Sequence, residues 1–149
     1  MKNIDDVFGA YSNNAKIFSV TAPYRNPYQG SAPRWLFVCA AGLLRSPTAA
    51  TVAAKFGVNA RSCGSVQEYA LIPLSANLIA WADKIFFVNN DAYKQAIKVF
   101  EPAGLNTDID EKAIIWEIPD HYNYGQKELV KILQDLLDPF IKNETTLFN

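Results

Sequence analysis

A cysteine and an arginine that could act on the same anion lie close together near residue 40. Cys39 is followed by five residues and then by Arg45, which makes the pattern Cys-X5-Arg. A cysteine thiolate is a strong nucleophile, and the planar arginine guanidinium binds two oxygens of a phosphate or similar oxyanion. The pair therefore predicts nucleophilic attack by Cys39 on an oxyanion that Arg45 holds.

The residues around this pair predict a strand, a tight loop and the start of a helix. The apolar run at residues 35–38 is typical of a buried strand. Residues 47–56 are rich in alanine and predict a helix with Ser46 as its N-cap and Gly57 at its end. Backbone N–H groups converge where a loop enters a helix, and the helix dipole favours negative charge there. The same field favours the thiolate form of Cys39.

Ser46 has two possible roles, since its hydroxyl could cap the helix or bond to the Cys39 thiolate. The two roles compete for one hydroxyl, so both remain open at this level. The whole loop is expected to hold the anion. The predicted phosphate-binding residues are Ala40, Ala41, Gly42, Leu43, Leu44, Arg45 and Ser46.

The stretch Cys-Ala-Ala-Gly-Leu-Leu-Arg-Ser-Pro resembles the active-site loop of the low-molecular-weight protein tyrosine phosphatases. It looks most like their short branch, the predicted protein tyrosine phosphatases, and the resemblance begins at about Arg34. It implies a phosphotyrosine protein phosphatase I-like fold and hydrolysis of phosphomonoesters, phosphotyrosine above all, with no metal or cofactor. Gly42 stands where better-studied members have Asn, and Leu44 replaces their second loop cysteine. These departures imply a softer loop without an internal redox switch.

The rest of the chain alternates apolar strands and helices. Further strands are predicted at residues 58–62, 84–88 and 113–118, and further helices at 76–81, 92–100 and 126–142. Residues 106–111 are predicted to be loop, Asp91 is the expected cap of the third helix, and Pro139 should bend or shorten the last helix. Alternation of this kind indicates a three-layer α/β/α fold with a four-stranded parallel sheet.

Asp120 follows the last predicted strand and therefore lies at the same sheet edge as Cys39. It could protonate the leaving oxygen and later activate water, or it could be an ordinary turn aspartate after Pro119. The stretch around it resembles the family's Asp-Pro-Tyr-Tyr loop. That resemblance makes Tyr122 a candidate wall of the substrate pocket, although a surface tyrosine is nearly as plausible. His121 is the second candidate for the pocket; it is expected beside the site in solvent, where it could modulate the acid.

Cys63 closes the second predicted strand. One interpretation is a small buried hydrophobic residue. The other is a redox partner that traps Cys39 as a disulfide, since adjacent parallel strands end on the same side of a sheet. Disulfide geometry is demanding, so the first interpretation is favoured.

Residues 1–33 form a predicted N-terminal extension, residues 34–143 the phosphatase-like domain and residues 144–149 a frayed C-terminal tail. Within the extension, residues 4–11 are a candidate helix and residues 16–20 a candidate strand. The extension is interpreted as a strap over the core, with a substrate-side lid or a dimer contact carrying Tyr24, Arg25 and Tyr28 as the alternative.

Composition narrows the class of protein. The chain has 149 residues, half of them hydrophobic and 19% charged, with a formal net charge of −1. These values indicate one globular domain and give no support to nucleic-acid binding. The longest apolar run, residues 36–44, is shorter than the roughly 18 residues of a membrane span. Two cysteines do not make a secreted disulfide framework, which favours a reducing cytoplasm.

Two other functions are compatible with the loop. One is a non-catalytic module that binds a phosphorylated partner. The other is an arsenate reductase, which would need further cysteines to resolve its arsenic adduct, and only Cys63 is present besides Cys39. The oligomeric state is not indicated by the sequence.

Overall fold

A computed structural model describes residues 32–148 of the chain. The predicted helix at residues 4–11, the predicted strand at residues 16–20 and the strap or lid interpretation fall outside the described residues.

The described residues form a four-stranded sheet and five helices. The strands are β1 (Arg34–Cys39), β2 (Asn59–Gly64), β3 (Lys84–Phe87) and β4 (Ala113–Ile115), and the helices are α1 (Arg45–Ala54), α2 (Ala76–Trp81), α3 (Asn90–Phe100), α4 (Asn106–Lys112) and α5 (Lys127–Phe148). The strand order is β2-β1-β3-β4, and every adjacent pair is parallel. The predicted α/β/α fold with a parallel sheet is confirmed.

The side chains of β1 alternate between two separate halves of the core. Trp35, Phe37 and Cys39 pack on one face with α1 and α5, in a layer called here the first core. Leu36 and Val38 pack on the other face with α2, α3 and α4, in the second core. Strand side chains point alternately to the two faces of a sheet, and residues 35–39 of β1 are all apolar and buried, so β1 is covered on both faces.

An aromatic cluster fastens α5 to the sheet. The ring of Phe86 on β3 lies 4.9 Å from Phe37, 5.2 Å from Trp35 and 5.1 Å from Phe140 of α5. Stacked, tilted and edge-on ring pairs such as these add to the stabilisation from burial. This packing holds the first core together beneath the carboxyl end of β1.

Several element boundaries differ from the predicted ones. Residues 106–111, predicted as loop, belong to α4, so that prediction is wrong. Ile109 is fully buried in the second core, and this tertiary contact stabilises α4. The residues around Ile109 are mostly polar, so the sequence shows no apolar pattern that would predict the helix. Asn89 rather than Asp91 caps α3, because its side chain accepts a hydrogen bond from Ala92 N at 2.8 Å. Helix α5 continues through Pro139 to Phe148, beyond its predicted end.

Among residues 32–148, no helix is long and apolar enough to cross a membrane.

Candidate active site

The cysteine loop, residues 40–44, turns sharply between β1 and α1. Gly42 adopts φ +74°, in the left-handed region that favours glycine. A Cβ at Gly42 would lie only 2.9 Å from the backbone of Cys63 and Gly64 at the end of β2. Glycine is therefore required twice at this position, by conformation and by close packing, which agrees with the predicted need for an unusual backbone angle.

The carbonyl groups of the cysteine loop face the segment that follows β2. Ser65 N donates to Cys39 O at 2.9 Å, Val66 N to Ala40 O at 3.1 Å, and Leu71 N to Ala41 O at 3.2 Å. In a trans peptide the N–H group points opposite to the carbonyl of the preceding residue. The amides that follow these three carbonyls are therefore directed to the other side of the loop. Gly42 N confirms this direction, since it donates to Cys39 Sγ at 3.1 Å.

Helix α1 begins immediately after the loop and has no side-chain cap. Leu44 occupies the N-cap position, and no side chain caps the first turn. Ser46 is thus not the N-cap that the sequence predicted, since the helix starts one residue before it. The uncapped amides of a first turn, with the helix dipole behind them, attract an anion.

Cys39 Sγ is the focus of two polar contacts. Ser46 Oγ lies 3.0 Å from it and Gly42 N lies 3.1 Å from it. Ser46 Oγ is also 3.4 Å from the carbonyl oxygen of Cys63, which is a longer and weaker contact. When Cys39 is a thiolate, the hydroxyl and the amide can both donate to it, and this arrangement stabilises the charged form. Of the two roles predicted for Ser46, the structure places its hydroxyl beside Cys39 Sγ.

Arg45 is buried and held from one side. Its Nη1 donates to Ile118 O at 2.9 Å, and its Nε lies 3.5 Å from Oδ1 of Asp120. Only 5% of the Arg45 side chain is exposed, whereas 69% of the Asp120 side chain is exposed. The guanidinium is thus fixed in direction by the segment after β4, and the carboxylate beside it remains accessible to solvent.

The three predicted catalytic side chains share one pocket of about 310 Å³. Its lining residues are Cys39, Ala40, Ala41, Leu43, Leu44, Arg45, Tyr69 and Asp120. Two other predicted phosphate-binding residues, Gly42 and Ser46, are not among the lining residues. They contact the sulfur of Cys39 instead.

The predicted pocket residues His121 and Tyr122 are not among the lining residues. Their ring centroids lie 4.2 Å apart in a tilted arrangement, His121 is exposed, and Tyr122 packs against the first core. The aromatic side chain that lines the pocket is Tyr69, which follows β2 and is 60% exposed. Sequence reasoning missed Tyr69, although its place after a strand that ends at the same sheet edge could have indicated it.

No protein-family model matches the chain, and no curated protein matches its sequence. Solved structures do match. Wzb from Vibrio vulnificus, in complex with benzylphosphonate, superposes with a TM-score of 0.60 at 14% identity, covering 76% of this chain and 99% of that chain. The YwlE arginine phosphatase from Geobacillus stearothermophilus gives 0.54 at 19% identity, covering 74% and 88%. The tyrosine phosphatase Wzb from Escherichia coli K30, in complex with phosphate, gives 0.54 at 15% identity, covering 79% and 99%.

The chain has the fold of the low-molecular-weight protein tyrosine phosphatases. The predicted phosphotyrosine protein phosphatase I-like fold is confirmed. At these identities the likeness concerns the fold alone, and the chemistry of the site depends on its own side chains.

Within this fold, Cys63 lies on the opposite face of the sheet from Cys39. In the β1–β2 register Cys63 is paired with Val38, and Cys39 is paired with Gly64. Paired residues of parallel strands point to the same face, so Cys63 lies in the second core and Cys39 in the first. Both are free thiols, and burial, with a smaller contribution from Cys39, raises the pKa of Cys63 well above its ordinary value. The arrangement argues against the redox interpretation and for a buried hydrophobic role.

Among the described residues, no group of three or more His, Cys, Asp or Glu side chains could hold a metal ion.

Proposed function

We propose that this chain is a cysteine-dependent phosphatase that hydrolyses phosphomonoesters through a phosphocysteine intermediate. The observation that carries the proposal is the shared pocket, in which Cys39, Arg45 and Asp120 are lining residues. A nucleophile, a fixed cation and an accessible carboxyl are the three groups that such a displacement needs.

In the first step, Cys39 Sγ attacks phosphorus, so that an S–P bond forms and the P–O bond to the leaving group breaks. Arg45 and the inward amides of the cysteine loop bind the three remaining phosphoryl oxygens as their charge is redistributed. Asp120, in its protonated form, donates a proton to the departing oxygen, and an alcohol or phenol leaves. The ion pair with Arg45 supports this role because it holds the carboxyl at the edge of the pocket.

In the second step, the carboxylate of Asp120 accepts a proton from water, whose oxygen attacks phosphorus. The S–P bond breaks, inorganic phosphate forms and the thiolate of Cys39 is regenerated. The contacts from Ser46 Oγ and Gly42 N support this step as well, because they stabilise the sulfur as it takes back negative charge.

The rim of the pocket favours a substrate whose phosphate is carried on an aromatic group. Leu43, Leu44 and Tyr69 are exposed apolar or aromatic lining residues, and an aryl ring would bury their surface. We therefore infer phosphotyrosine in a protein, or a small aryl phosphate, as the substrate. The fold also occurs in an arginine phosphatase, so phosphoarginine is the competing substrate to assay. A reducing cytoplasm is the proposed location, since the nucleophile must stay a free thiol.

The test compares wild type with Cys39→Ser on para-nitrophenyl phosphate, with Cys63→Ser as the matched replacement of the other thiol. We expect Cys39→Ser to lose turnover and Cys63→Ser to retain it. Binding of inorganic phosphate is measured on all three proteins by calorimetry. Wild-type protein that binds phosphate without turnover dependent on Cys39 would instead be the non-catalytic binding module.

Arsenate reduction finds no support in the site. A reductase of this type resolves its arsenic adduct with further thiols, and Cys63 lies on the other face of the sheet from Cys39.

A further inference from the structure

A threonine of α1 connects the two halves of the proposed site. Thr48 is the fourth residue of α1, and only 1% of it is exposed. Its Oγ1 lies 2.7 Å from Leu44 O, at the end of the cysteine loop. The same oxygen lies 3.0 Å from Gly125 N, in the segment 119–126, called here the acid loop because it carries Asp120.

The direction of both hydrogen bonds is settled by their partners. A carbonyl oxygen only accepts, so the Thr48 hydroxyl donates to Leu44 O. A backbone N–H only donates, so Gly125 N donates to the hydroxyl. The one hydroxyl hydrogen is therefore committed to the cysteine loop, and a lone pair of the same oxygen is committed to the acid loop. A side chain without a hydroxyl can form neither bond.

Gly125 is a firm attachment point because the backbone around it is tightly turned. It adopts φ +70°. Gln126 N donates to Asn123 O at 3.1 Å, and Asn123 N donates to the Gln126 side-chain oxygen at 2.9 Å. The bond from Gly125 to Thr48 therefore fixes the end of the acid loop and not merely one residue.

The position of Asp120 depends on such attachments. Its side chain is 69% exposed, and its one polar contact within residues 32–148 is the ion pair with Arg45 at 3.5 Å. The start of the acid loop is held at Ile118, whose N donates to Val88 O and whose O accepts from Arg45 Nη1, both at 2.9 Å. The end is held by Thr48. The 3.1 Å contact between Thr51 and Tyr124 is exposed to solvent.

We propose that Thr48 is a positioning residue for the general acid. Its hydroxyl sets the distance between the end of the cysteine loop and the end of the acid loop, and thereby holds Asp120 against the pocket. This inference rests on the proposed phosphatase activity and adds to it a residue that acts through Asp120 without touching the phosphate.

The test replaces Thr48 by Val, which keeps the shape and removes the hydroxyl, and by Ser, which keeps the hydroxyl. The measured quantity is kcat/KM for two substrates. Phenyl phosphate has a poor leaving group that needs the acid, whereas dinitrophenyl phosphate leaves without protonation. We expect Thr48→Val to lose about tenfold or more on phenyl phosphate and less than about twofold on dinitrophenyl phosphate, since general acids contribute roughly 10²–10⁴-fold. Thr48→Ser should restore the activity on phenyl phosphate.

Thr51→Val is the matched control on the same helix. It removes the exposed contact with Tyr124, where water can replace the lost partner, so we expect less than about a twofold change on either substrate. Equal losses by Thr48→Val on both substrates would mean a merely structural role and would overturn the inference. Wild-type kcat/KM of Thr48→Val on both substrates would also overturn the inference.

Two measurements keep the test decisive. Vanadate binding should not weaken in Thr48→Val, because vanadate is expected to contact the cysteine loop and Arg45 and does not need the acid. If Thr48→Val does not fold, Thr48→Ala is measured with the same substrates, because alanine is well tolerated in a helix. Absence of wild-type turnover on both substrates would refute the proposed function itself, which separates that failure from failure of this inference.

Discussion

Arg45 Nε and Asp120 Oδ1 lie 3.5 Å apart, although strands β2, β3 and β4 all come between the two residues in the sequence. In the proposed mechanism the first binds the phosphoryl oxygens and the second protonates the leaving group. The contact means that a phosphate bound to Arg45 also meets the carboxylate of Asp120. The two anions would repel each other unless one proton lies between them.

Asp120→Asn removes that repulsion together with the acid. We expect kcat/KM for phenyl phosphate to fall by roughly 10²–10⁴-fold, with a smaller loss for dinitrophenyl phosphate. Vanadate should bind up to about fivefold more tightly, since exposed charge pairs are worth up to about 1 kcal/mol. Steady-state kinetics with vanadate as inhibitor measures both quantities. An unchanged dependence on the leaving group would remove Asp120 from the mechanism.

Ser46→Ala tests the contact of the hydroxyl with Cys39 Sγ at 3.0 Å. A hydrogen bond to a charged group contributes about 1.5–3 kcal/mol, so loss of this one should slow turnover roughly tenfold to a hundredfold. Alkylation of Cys39 by iodoacetate should be slower than in wild type, because the sulfur loses a donor that stabilises its negative charge. Ser75→Ala, which removes the cap of helix α2 on the other face of the sheet, is the control that should leave the alkylation rate unchanged.

Gly42→Ala tests the close approach of the cysteine loop to β2. The matched control is Gly104→Ala, since Gly104 has a similar φ of +76° but no atom within 4 Å of a built Cβ. Gly104→Ala should cost about 1–2 kcal/mol of stability through conformation alone. Gly42→Ala should cost about 1–3 kcal/mol more, because its Cβ would also meet the β2 backbone. Urea unfolding compares the two, and equal losses would show that the loop moves away freely.

Tyr69→Ala tests the aromatic wall of the pocket. Loss of a ring that stacks on an aryl group should raise KM for aryl phosphates about two- to tenfold, since aromatic pairs contribute about 0.5–1.5 kcal/mol. Inhibition by inorganic phosphate should not change. Leu71→Ala is the control, because Leu71 is 71% exposed in the same segment but does not line the pocket. A loss of phosphate inhibition in Tyr69→Ala would indicate a distorted cysteine loop instead.

The buried thiol of Cys63 should make stability depend on pH at the alkaline end. In the folded protein, burial raises the pKa of this thiol well above its ordinary value. In the unfolded chain its pKa is about 8.5. Above that pH the unfolded state loses a proton that the folded state keeps, so the free energy of unfolding decreases. The contribution is fully present below about pH 8.5 and is lost progressively as the pH rises above it.

Cys63→Ala is the comparison that isolates this effect, because Cys39 and all other titrating groups stay in place. Urea unfolding of both proteins between about pH 7.5 and about pH 10 should show a steeper loss of stability in wild type. Parallel curves would mean that Cys63 ionises inside the fold as easily as outside it.

The sequence by itself determined the local part of the site. The apolar run before Cys39, the glycine in the loop and the spacing to Arg45 all lie within one strand–loop–helix stretch. Their geometry follows from backbone preferences over a few residues, and the parallel sheet follows from the alternation of apolar strands and helices. The cysteine loop and the fold were therefore predictable without tertiary information.

Only the tertiary structure decided which distant side chains join the loop. Tyr69 lines the pocket and Tyr122 does not, because the segment after β2 bonds directly to the loop carbonyls. Cys63 was a possible partner of Cys39 as long as only the ends of the strands were compared. Cys63 is paired with Val38, one residue before Cys39, and it therefore lies on the opposite face of the sheet from Cys39, because side chains alternate along a strand. The residues near either cysteine do not indicate how the two strands are paired.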